Sequence, residues 1–508
     1  MSIGRNTTYN LLGQGIPIIL ALVTVPLYLK SIGPDRYGVL SIAWLILGYF
    51  GMFDLGLGRA TGQRIAALVD ATPRERADAF WAAIAVNLLM GLIGAAILWP
   101  VAAYFFGTQF NLDAGLRAEV LQSVPLLALS VPVATSVGVL GYALIGRERF
   151  LQVNTVTITS TSLLQVLPLL VALFWTHDLR ILLAAAVLAR VITLAMVWWQ
   201  CRREGIAREP FHFNWVEARQ LLGFGGWVTV SSFFGPILFM LDRFAIGAIM
   251  NARAVTLYTV PNQIAQRITI IPVALNNALF PKLSAASQED RLRMSARATA
   301  MIAAVVTPLT IIGIVAMKPF LLLWVGSDIG GEAWPLGCLI LIAYWFNSFA
   351  QVPFTELQAR GRPDLVSKTL IAEIPFYCVA LFAGLYGAGL IGAALAFIFR
   401  NILDQALLTF VAFRKPLRLG TIAYALALIL AATALMLWHA DPLGYALCAL
   451  LFLLSLVLLP LELATLDVPP RVRKLLAIPV IARPLNAATA IAARFSRPGV
   501  PGSGTEGL

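Results

Sequence analysis

The chain has 508 residues, of which 59% are hydrophobic and 12% charged, with a net charge of +12 and a mean hydropathy of +0.84. Soluble globular proteins are nearer half apolar and a quarter charged, so this composition excludes a water-soluble fold. In lipid only helices and closed barrels satisfy the backbone, and the apolar runs here last about twenty residues, the length of a membrane helix rather than of a barrel strand. The composition therefore predicts an all-α polytopic membrane protein.

Fourteen apolar runs predict about fourteen transmembrane helices. In chain order they lie near 9–30, 38–58, 80–106, 119–146, 151–175, 180–201, 220–249, 254–280, 298–317, 335–357, 366–386, 388–412, 419–439 and 442–463. An even number of spans places both termini on one side of the membrane. Of the 37 Lys and Arg residues, 27 fall on that side, six on the opposite side and four within spans. By the positive-inside rule, both termini are predicted to be cytoplasmic.

The two halves of the chain have similar span lengths, and a shift of 221 residues places Tyr37 on Tyr258. Because six spans is an even number, such halves would be parallel repeats of the kind found in secondary transporters. We predict an N-terminal six-helix lobe at 1–201, a C-terminal six-helix lobe at 202–415 and two additional transmembrane helices at 416–463. Residues 464–508 are predicted to form a basic interfacial segment followed by a disordered tail.

The positive charge and the scattered reactive residues do not indicate a nucleic-acid protein, a metal protein or an enzyme. The basic residues lie in cytoplasmic loops, where they fix topology and attract anionic membrane lipids at about 1 kcal/mol each. No cysteine pair or histidine has metal-ligand spacing, and no glycine loop for ATP phosphates is present. The residues concerned are Cys201, Cys338, Cys378, Cys448, His177, His212 and His439.

Short motifs in both halves carry a family resemblance. The first half contains GPDRYG at 33–38 and FDLGLGRA at 53–60, and the second half contains LDRFAIG at 241–247. Together with Gly226-Trp227, Tyr258 and Phe280-Pro281, these motifs resemble the polysaccharide-biosynthesis flippases of the multidrug/oligosaccharidyl-lipid/polysaccharide (MOP) superfamily, over roughly residues 1–440.

The resemblance implies a V of two lobes that works by alternating access in the cell inner membrane. The implied cargo is an oligosaccharide on polyprenyl pyrophosphate, which moves from the cytoplasmic to the outer leaflet for cell-surface polysaccharide assembly. Polysaccharide polymerase machinery is an implied partner. No cofactor is expected beyond Na⁺ or H⁺ coupling, and an alternative is a cation-coupled multidrug exporter of the same superfamily.

Arg267 is the leading candidate for substrate binding. It lies in the eighth predicted span with Asn262, Gln263 and Gln266 nearby and no adjacent acid. A charge within a span costs at least 2.5–3.5 kcal/mol on insertion scales, so it needs a partner or a function. A guanidinium matches a pyrophosphate through paired hydrogen bonds and stays charged. The alternative is a structural ion pair with Asp54 or Asp242.

Other intramembrane charges are candidates for binding or coupling. Arg243 and Arg59 are further candidates for substrate binding, and Asp54, Asp242 and Glu373 for cation coupling. Asp242 and Arg243 point about 100° apart on a helix, which predicts that they do not simply neutralise each other. Arg400 and Asp404, on the twelfth span, are expected to pair locally at i, i+4 spacing. Glu373 is alone in the eleventh span. Arg190, in the sixth span, also lacks a nearby acid.

Overall fold

A computed structural model describes residues 3–50, 57–68, 70–206, 209–220, 240–414, 419–439 and 441–456. All regular structure in these ranges is helical. The predicted tail at 464–508 and the predicted cation-coupling residue Asp54 lie outside the described residues.

The helices follow the apolar runs of the sequence. They are α1 (Ile3–Phe50), α2 (Leu57–Ala67), α3 (Pro73–Tyr104), α4 (Ala114–Gly146), α5 (Phe150–Phe174), α6 (Leu179–Arg203), α7 (240–249), α8 (Ala252–Ala265), α9 (Ile270–Ala285), α10 (Gln288–Ala359), α11 (Pro363–Phe413), α12 (Leu419–Trp438) and α13 (Pro442–Leu456). A π-helical turn at Phe105–Gln109 extends α3, and a 3₁₀ turn at Gln266–Thr269 joins α8 to α9.

Three of these helices are each two helices joined at a glycine. The backbone leaves helical geometry at Gly33 in α1 (φ +78°, ψ 169°), at Gly326 in α10 (φ +83°, ψ 175°) and at Gly389 in α11 (φ +58°, ψ −133°). Residues with a Cβ rarely adopt positive φ, so glycine is the residue that permits these breaks. The breaks at Gly33 and Gly326 fall between two predicted spans. The break at Gly389 falls within two residues of the predicted start of the twelfth span.

The structure is that of a multi-pass membrane protein. Nine of the described helical segments are long and apolar enough to cross a bilayer, and Pro442–Leu456 is a shorter apolar helix. Two of the nine, Gln288–Ala359 and Pro363–Phe413, each contain two of the predicted spans. The count of fourteen spans and the orientation of the termini stay predictions.

The chain divides into two compact units that differ from simple sequence halves. The first contains Met1–Pro261, Leu321–Ala333 and Cys378–Ala393, and the second contains Asn262–Phe320, Trp334–Tyr377 and Ala394–Leu508. The predicted lobe boundaries at residues 201 and 415 stay predictions.

In the first unit, α4 packs against α3, α6 and α2, and α5 packs against α1 and α6. A cluster around Phe80, Leu140, Leu144 and Val197 forms part of its core. The α2–α4 crossing is close because it uses glycines: a Cβ on Gly146 would lie 2.4 Å from the carbonyl oxygen of Gly62. Small residues at such crossings let membrane helices approach closely.

In the second unit, α10 and α11 share a core cluster made of Ala350, Leu357, Val366, Leu408 and Ala412. The buried indole of Trp345 donates to Thr307 Oγ1 at 3.0 Å, so the two arms of α10 are also joined by a satisfied polar contact. This unit carries the segment that contains Arg267.

Candidate functional site

Arg267 lies where the helix that carries it changes geometry. α8 ends at Ala265, residues Gln266–Thr269 form a 3₁₀ turn, and α9 begins at Ile270. Pro272 has no N–H to offer to the carbonyl of Ile268, so the α-helical ladder is interrupted here. Short 3₁₀ stretches inside helices often mark functional hinges. The interruption lies within the candidate membrane span Ala252–Ala285.

The turn exposes Gln266 and Arg267. In the described part of the chain, the Arg267 guanidinium has no carboxylate within ion-pair distance. Asp242, one of the two predicted counter-ions, belongs to the first unit, where its carboxylate pairs with Arg243. Asp54, the other predicted counter-ion, lies outside the described residues. The structure thus presents an exposed cation on a membrane helix of the second unit.

The polar neighbours of Arg267 divide into two environments. Gln263 is half-buried and lies one helical turn before Arg267, on the same face. Asn262 is 1% exposed, and its Oδ1 accepts a hydrogen bond from the Tyr344 hydroxyl at 3.0 Å. Asn262 therefore holds this segment to α10, while Gln263, Gln266 and Arg267 form the accessible part of the predicted polar stripe.

Asp242 and Arg243 form a buried pair in the first unit. They are 2% and 9% exposed, and Arg243 Nη1 lies 3.3 Å from Asp242 Oδ1. The same carboxylate oxygen accepts from the backbone N–H of Arg243 at 2.8 Å. The prediction that these adjacent residues do not neutralise each other is wrong. The short Asp side chain folds onto the backbone and the long Arg side chain bends back to meet it.

Glu373 has a cationic partner that the sequence did not reveal. Its carboxylate is 3.5 Å from Arg400 Nη2, and the two side chains are 1% and 8% exposed. The Arg400 guanidinium also lies 5.4 Å from the centre of the Tyr377 ring. The partner comes from the twelfth predicted span, because the break at Gly389 lets the second arm of α11 bring Arg400 back against the first. Asp404 follows Arg400 by one turn, so two carboxylates and one guanidinium share this part of the second unit.

Arg59 lies on α2 with its side chain exposed. Its predicted neighbour in a gate or cation site, Asp54, is outside the described residues, so the structure tests only the position of Arg59. The candidate residues consequently belong to separate groups: Arg267 with Gln263 and Gln266, Glu373 with Arg400, and Asp242 with Arg243.

Sequence comparison assigns the chain to a family. The family described as "Polysaccharide biosynthesis protein" matches residues 3–287, which include α1 to α9 and therefore Arg267 and its 3₁₀ turn. The chain belongs to this family.

Two curated relatives match the chain over a longer stretch than these residues. The chain is 28% identical over 409 residues to a protein named an O-antigen transporter in Shigella flexneri, covering 80% of this chain and 97% of that protein. It is 23% identical over 430 residues to the lipopolysaccharide biosynthesis protein WzxC of Escherichia coli strain K12, covering 81% of each.

Two solved structures show the same fold. The lipid II flippase MurJ, in an inward closed conformation, aligns with a TM-score of 0.72 at 11% identity, over 89% of this chain and 97% of that chain. An inward-facing multidrug resistance transporter of the MATE family of the MOP superfamily aligns with a TM-score of 0.63 at 13% identity, over 81% and 98%. The predicted polysaccharide-biosynthesis family is confirmed, and the two solved structures share the fold of this chain.

Proposed function

We propose that the protein is a flippase for a polyprenyl-pyrophosphate-linked oligosaccharide. It moves this cargo from the cytoplasmic to the outer leaflet of the cell inner membrane by alternating access, for cell-surface polysaccharide assembly. The names of the two curated relatives support this class of cargo. Polysaccharide polymerase machinery and anionic lipids are the partners we expect.

The observation that carries the proposal is the environment of Arg267. An exposed guanidinium on a membrane helix costs at least 2.5–3.5 kcal/mol on insertion scales unless something compensates it, and no carboxylate among the described residues does so. A pyrophosphate supplies two or more negative charges and accepts paired hydrogen bonds from a guanidinium. The amides of Gln263 and Gln266 add donors and acceptors for the neighbouring sugar or phosphate oxygens.

Coupling to a cation is a second part of the proposal, with Glu373, Asp242 and Asp54 as the candidate residues. Glu373 has the strongest structural support. Neither of its carboxylate oxygens has a hydrogen-bond partner in the described part of the chain, although both are buried. Among the described residues, Arg400 is the one guanidinium beside both Glu373 and Asp404, so one of these two carboxylate charges lacks a counter-charge. A buried charge of this kind is costly, and binding of a proton or of Na⁺ would relieve that cost during a transport cycle.

The decisive experiment is translocation of a labelled polyprenyl-pyrophosphate oligosaccharide in proteoliposomes. Wild type is compared with Arg267→Gln, with Arg267→Lys and with Arg297→Ala, which removes an exposed arginine from α10. We expect Arg267→Gln to reduce transport about 10- to 100-fold, the weight of a charge-assisted hydrogen bond, and Arg267→Lys to keep part of it. Arg297→Ala should transport normally. Transport of an organic cation, with none of the lipid-linked sugar, would instead establish the multidrug exporter.

A further inference from the structure

Arg190 is a second intramembrane arginine, and the function proposed above does not use it. It is residue twelve of the 25 in α6, which places it roughly 16 Å from one end of the helix and 20 Å from the other. Its side chain is half-buried within the first unit. At this depth a guanidinium is far from both layers of lipid head groups.

The guanidinium of Arg190 is held in place but not neutralised. Nη2 donates to the carbonyl oxygen of Leu47 at 3.1 Å, and Nη1 donates to Ser160 Oγ at 3.3 Å. The buried Nε–H has no partner, and no carboxylate lies within ion-pair distance among the described residues. A guanidinium has five N–H donors. Two neutral acceptors and the buried Nε–H therefore leave the charge and one N–H on each Nη atom for an anion.

The helix that faces Arg190 is unusually rich in hydroxyl groups. Six of the eight residues in 155–162 are Thr or Ser. Thr155, Thr157 and Thr161 each donate to the carbonyl four residues earlier, at 2.8, 2.9 and 2.9 Å. Their protons are therefore used, while their oxygen lone pairs stay available as acceptors. Thr157, Ser160 and Thr161 lie within about 100° of one another around α5 and form its hydroxyl face, whereas Thr155 is on the opposite side. Thr157 is exposed, and Ser160 is the residue that contacts Arg190.

We propose that Arg190 and this hydroxyl face of α5 bind the junction between phosphate and sugar in the lipid-linked cargo. The cation and its free donors suit a phosphate, and the threonine oxygens accept hydrogen bonds from the hydroxyl groups of the adjoining sugar. Membrane phospholipids share the phosphate chemistry, but their head groups remain at the interface, roughly 16 Å or more from Arg190. Only a molecule that is carried across the membrane brings a phosphate to this depth. The inference rests on the proposed function and adds a site in the first unit.

The test measures binding of farnesyl pyrophosphate, farnesyl monophosphate, farnesol and phosphatidylglycerol to the purified full-length protein. The variants are Arg190→Gln, Arg190→Lys, Arg267→Gln and Arg202→Gln, the last of which removes an exposed arginine from the end of α6. We expect Arg190→Gln to weaken farnesyl pyrophosphate binding about 10- to 100-fold with farnesol unaffected, and Arg202→Gln to match wild type. Arg190→Lys keeps the positive charge but not the paired donors of a guanidinium, so its affinity for farnesyl pyrophosphate should lie between those of wild type and Arg190→Gln.

The outcomes separate this inference from the proposed function. If wild type binds farnesyl pyrophosphate no better than farnesol, both fail. If Arg267→Gln weakens binding while Arg190→Gln does not, the flippase stands and Arg190 is only a tether between helices. If phosphatidylglycerol competes as well as farnesyl pyrophosphate, the site belongs to membrane phospholipid and the inference is overturned.

A second measurement does not depend on the folding of an Arg190 variant. Thr157→Cys, in a background without other accessible thiols, should react with a thiol reagent and be protected by farnesyl pyrophosphate but not by farnesol. Equal reaction with and without farnesyl pyrophosphate would contradict a site at this face of α5.

Discussion

At the scale of single residues, the arginines within the described spans fall into two groups, paired and unpaired. Arg243 and Arg400 lie against acidic side chains and are almost completely buried. Arg190 and Arg267 have no carboxylate within ion-pair distance in the described chain, and both are more accessible. Buried charges are retained when they are paired, whereas unpaired charges in a membrane need water or a ligand. The division therefore separates structural cations from candidate binding cations.

The buried pair of Glu373 and Arg400 predicts unequal effects on stability. Arg400→Gln leaves Glu373 and Asp404 without their shared cation, and we expect a loss of about 3–5 kcal/mol, the cost of stranding a buried charge. Glu373→Gln leaves Arg400 with Asp404 one turn away and should cost less. Thermal unfolding of the purified protein in detergent measures both.

The double variant Glu373→Gln/Arg400→Gln is the control for this pair. Removing both partners should restore part of the stability lost in Arg400→Gln alone, which gives a favourable coupling energy in a double-mutant cycle. Strictly additive losses would show that the two side chains act independently despite their 3.5 Å separation.

Sequence reasoning reaches the charged residues of the candidate site but not all their partners. The i, i+4 spacing of Arg400 and Asp404 is visible in the sequence, whereas the contact of Arg400 with Glu373 depends on how two helical arms pack. The prediction for Asp242 and Arg243 is wrong because it used only the directions in which the two side chains leave the helix and ignored their flexibility. A short carboxylate can instead cap the next backbone N–H, as it does here at 2.8 Å.

At the scale of helices, hydropathy locates the elements, and glycines determine how they join. The runs predicted at 9–30 and 38–58 imply a loop of several residues, yet the described helix resumes directly after a single break at Gly33. The polar residues of the GPDRYG motif lower the hydropathy over six positions, but only Gly33 leaves helical geometry. Hydropathy cannot distinguish a polar loop from a polar helical turn, because both contain the same residues.

The break in α1 predicts that Gly33→Ala is destabilising. Gly33 has φ +78° and ψ 169°, a region that is essentially restricted to glycine, and a Cβ there would meet no atom within 4 Å. The cost should therefore be backbone strain alone, about 1–3 kcal/mol. Gly48→Ala is the matched control, because Gly48 is helical and also has open space around it. Its substitution should be neutral or slightly stabilising, and equal thermal midpoints for the two variants would contradict the assigned strain.

The α2–α4 crossing predicts a steric effect instead. A Cβ on Gly146 would lie 2.4 Å from the Gly62 carbonyl oxygen, which is backbone and cannot rotate away. We expect Gly146→Ala to separate the two helices and to cost about 1–3 kcal/mol, as overpacking does. Gly141→Ala, on the same helix with no atom within 4 Å of the new Cβ, should leave the thermal midpoint unchanged. A comparable loss in both variants would point to helix α4 itself rather than to the crossing.

At the scale of the whole molecule, the distribution of basic residues predicts the orientation in the membrane. The predicted topology places Arg293 on the side that carries most of the Lys and Arg residues, and Asp328 on the opposite side. Both side chains are well exposed. In intact cells, a membrane-impermeant thiol reagent should label Asp328→Cys and not Arg293→Cys, and permeabilisation should make both reactive. The reverse pattern would place the termini outside and overturn the predicted orientation.

We predict that transport responds to membrane potential, because the proposed cargo carries net negative charge across the membrane in each cycle. Arg190 and Arg267 return to their starting positions after each turnover, so only the cargo and any coupling ion carry net charge across. A negative-inside potential favours outward movement by about 2.3 kcal/mol per negative charge per 100 mV. For two charges on the pyrophosphate, this corresponds to roughly a thousandfold shift in the distribution between leaflets.

In proteoliposomes, a negative-inside potassium diffusion potential should therefore accelerate outward translocation, and a positive-inside potential should slow it. Glu373→Gln distinguishes transport driven by membrane potential from transport driven by a coupled cation. The variant keeps the response to potential if potential acts on the cargo alone. If wild type ignores potential but requires a proton or Na⁺ gradient, and Glu373→Gln abolishes that requirement, a cation that binds at Glu373 drives the cycle.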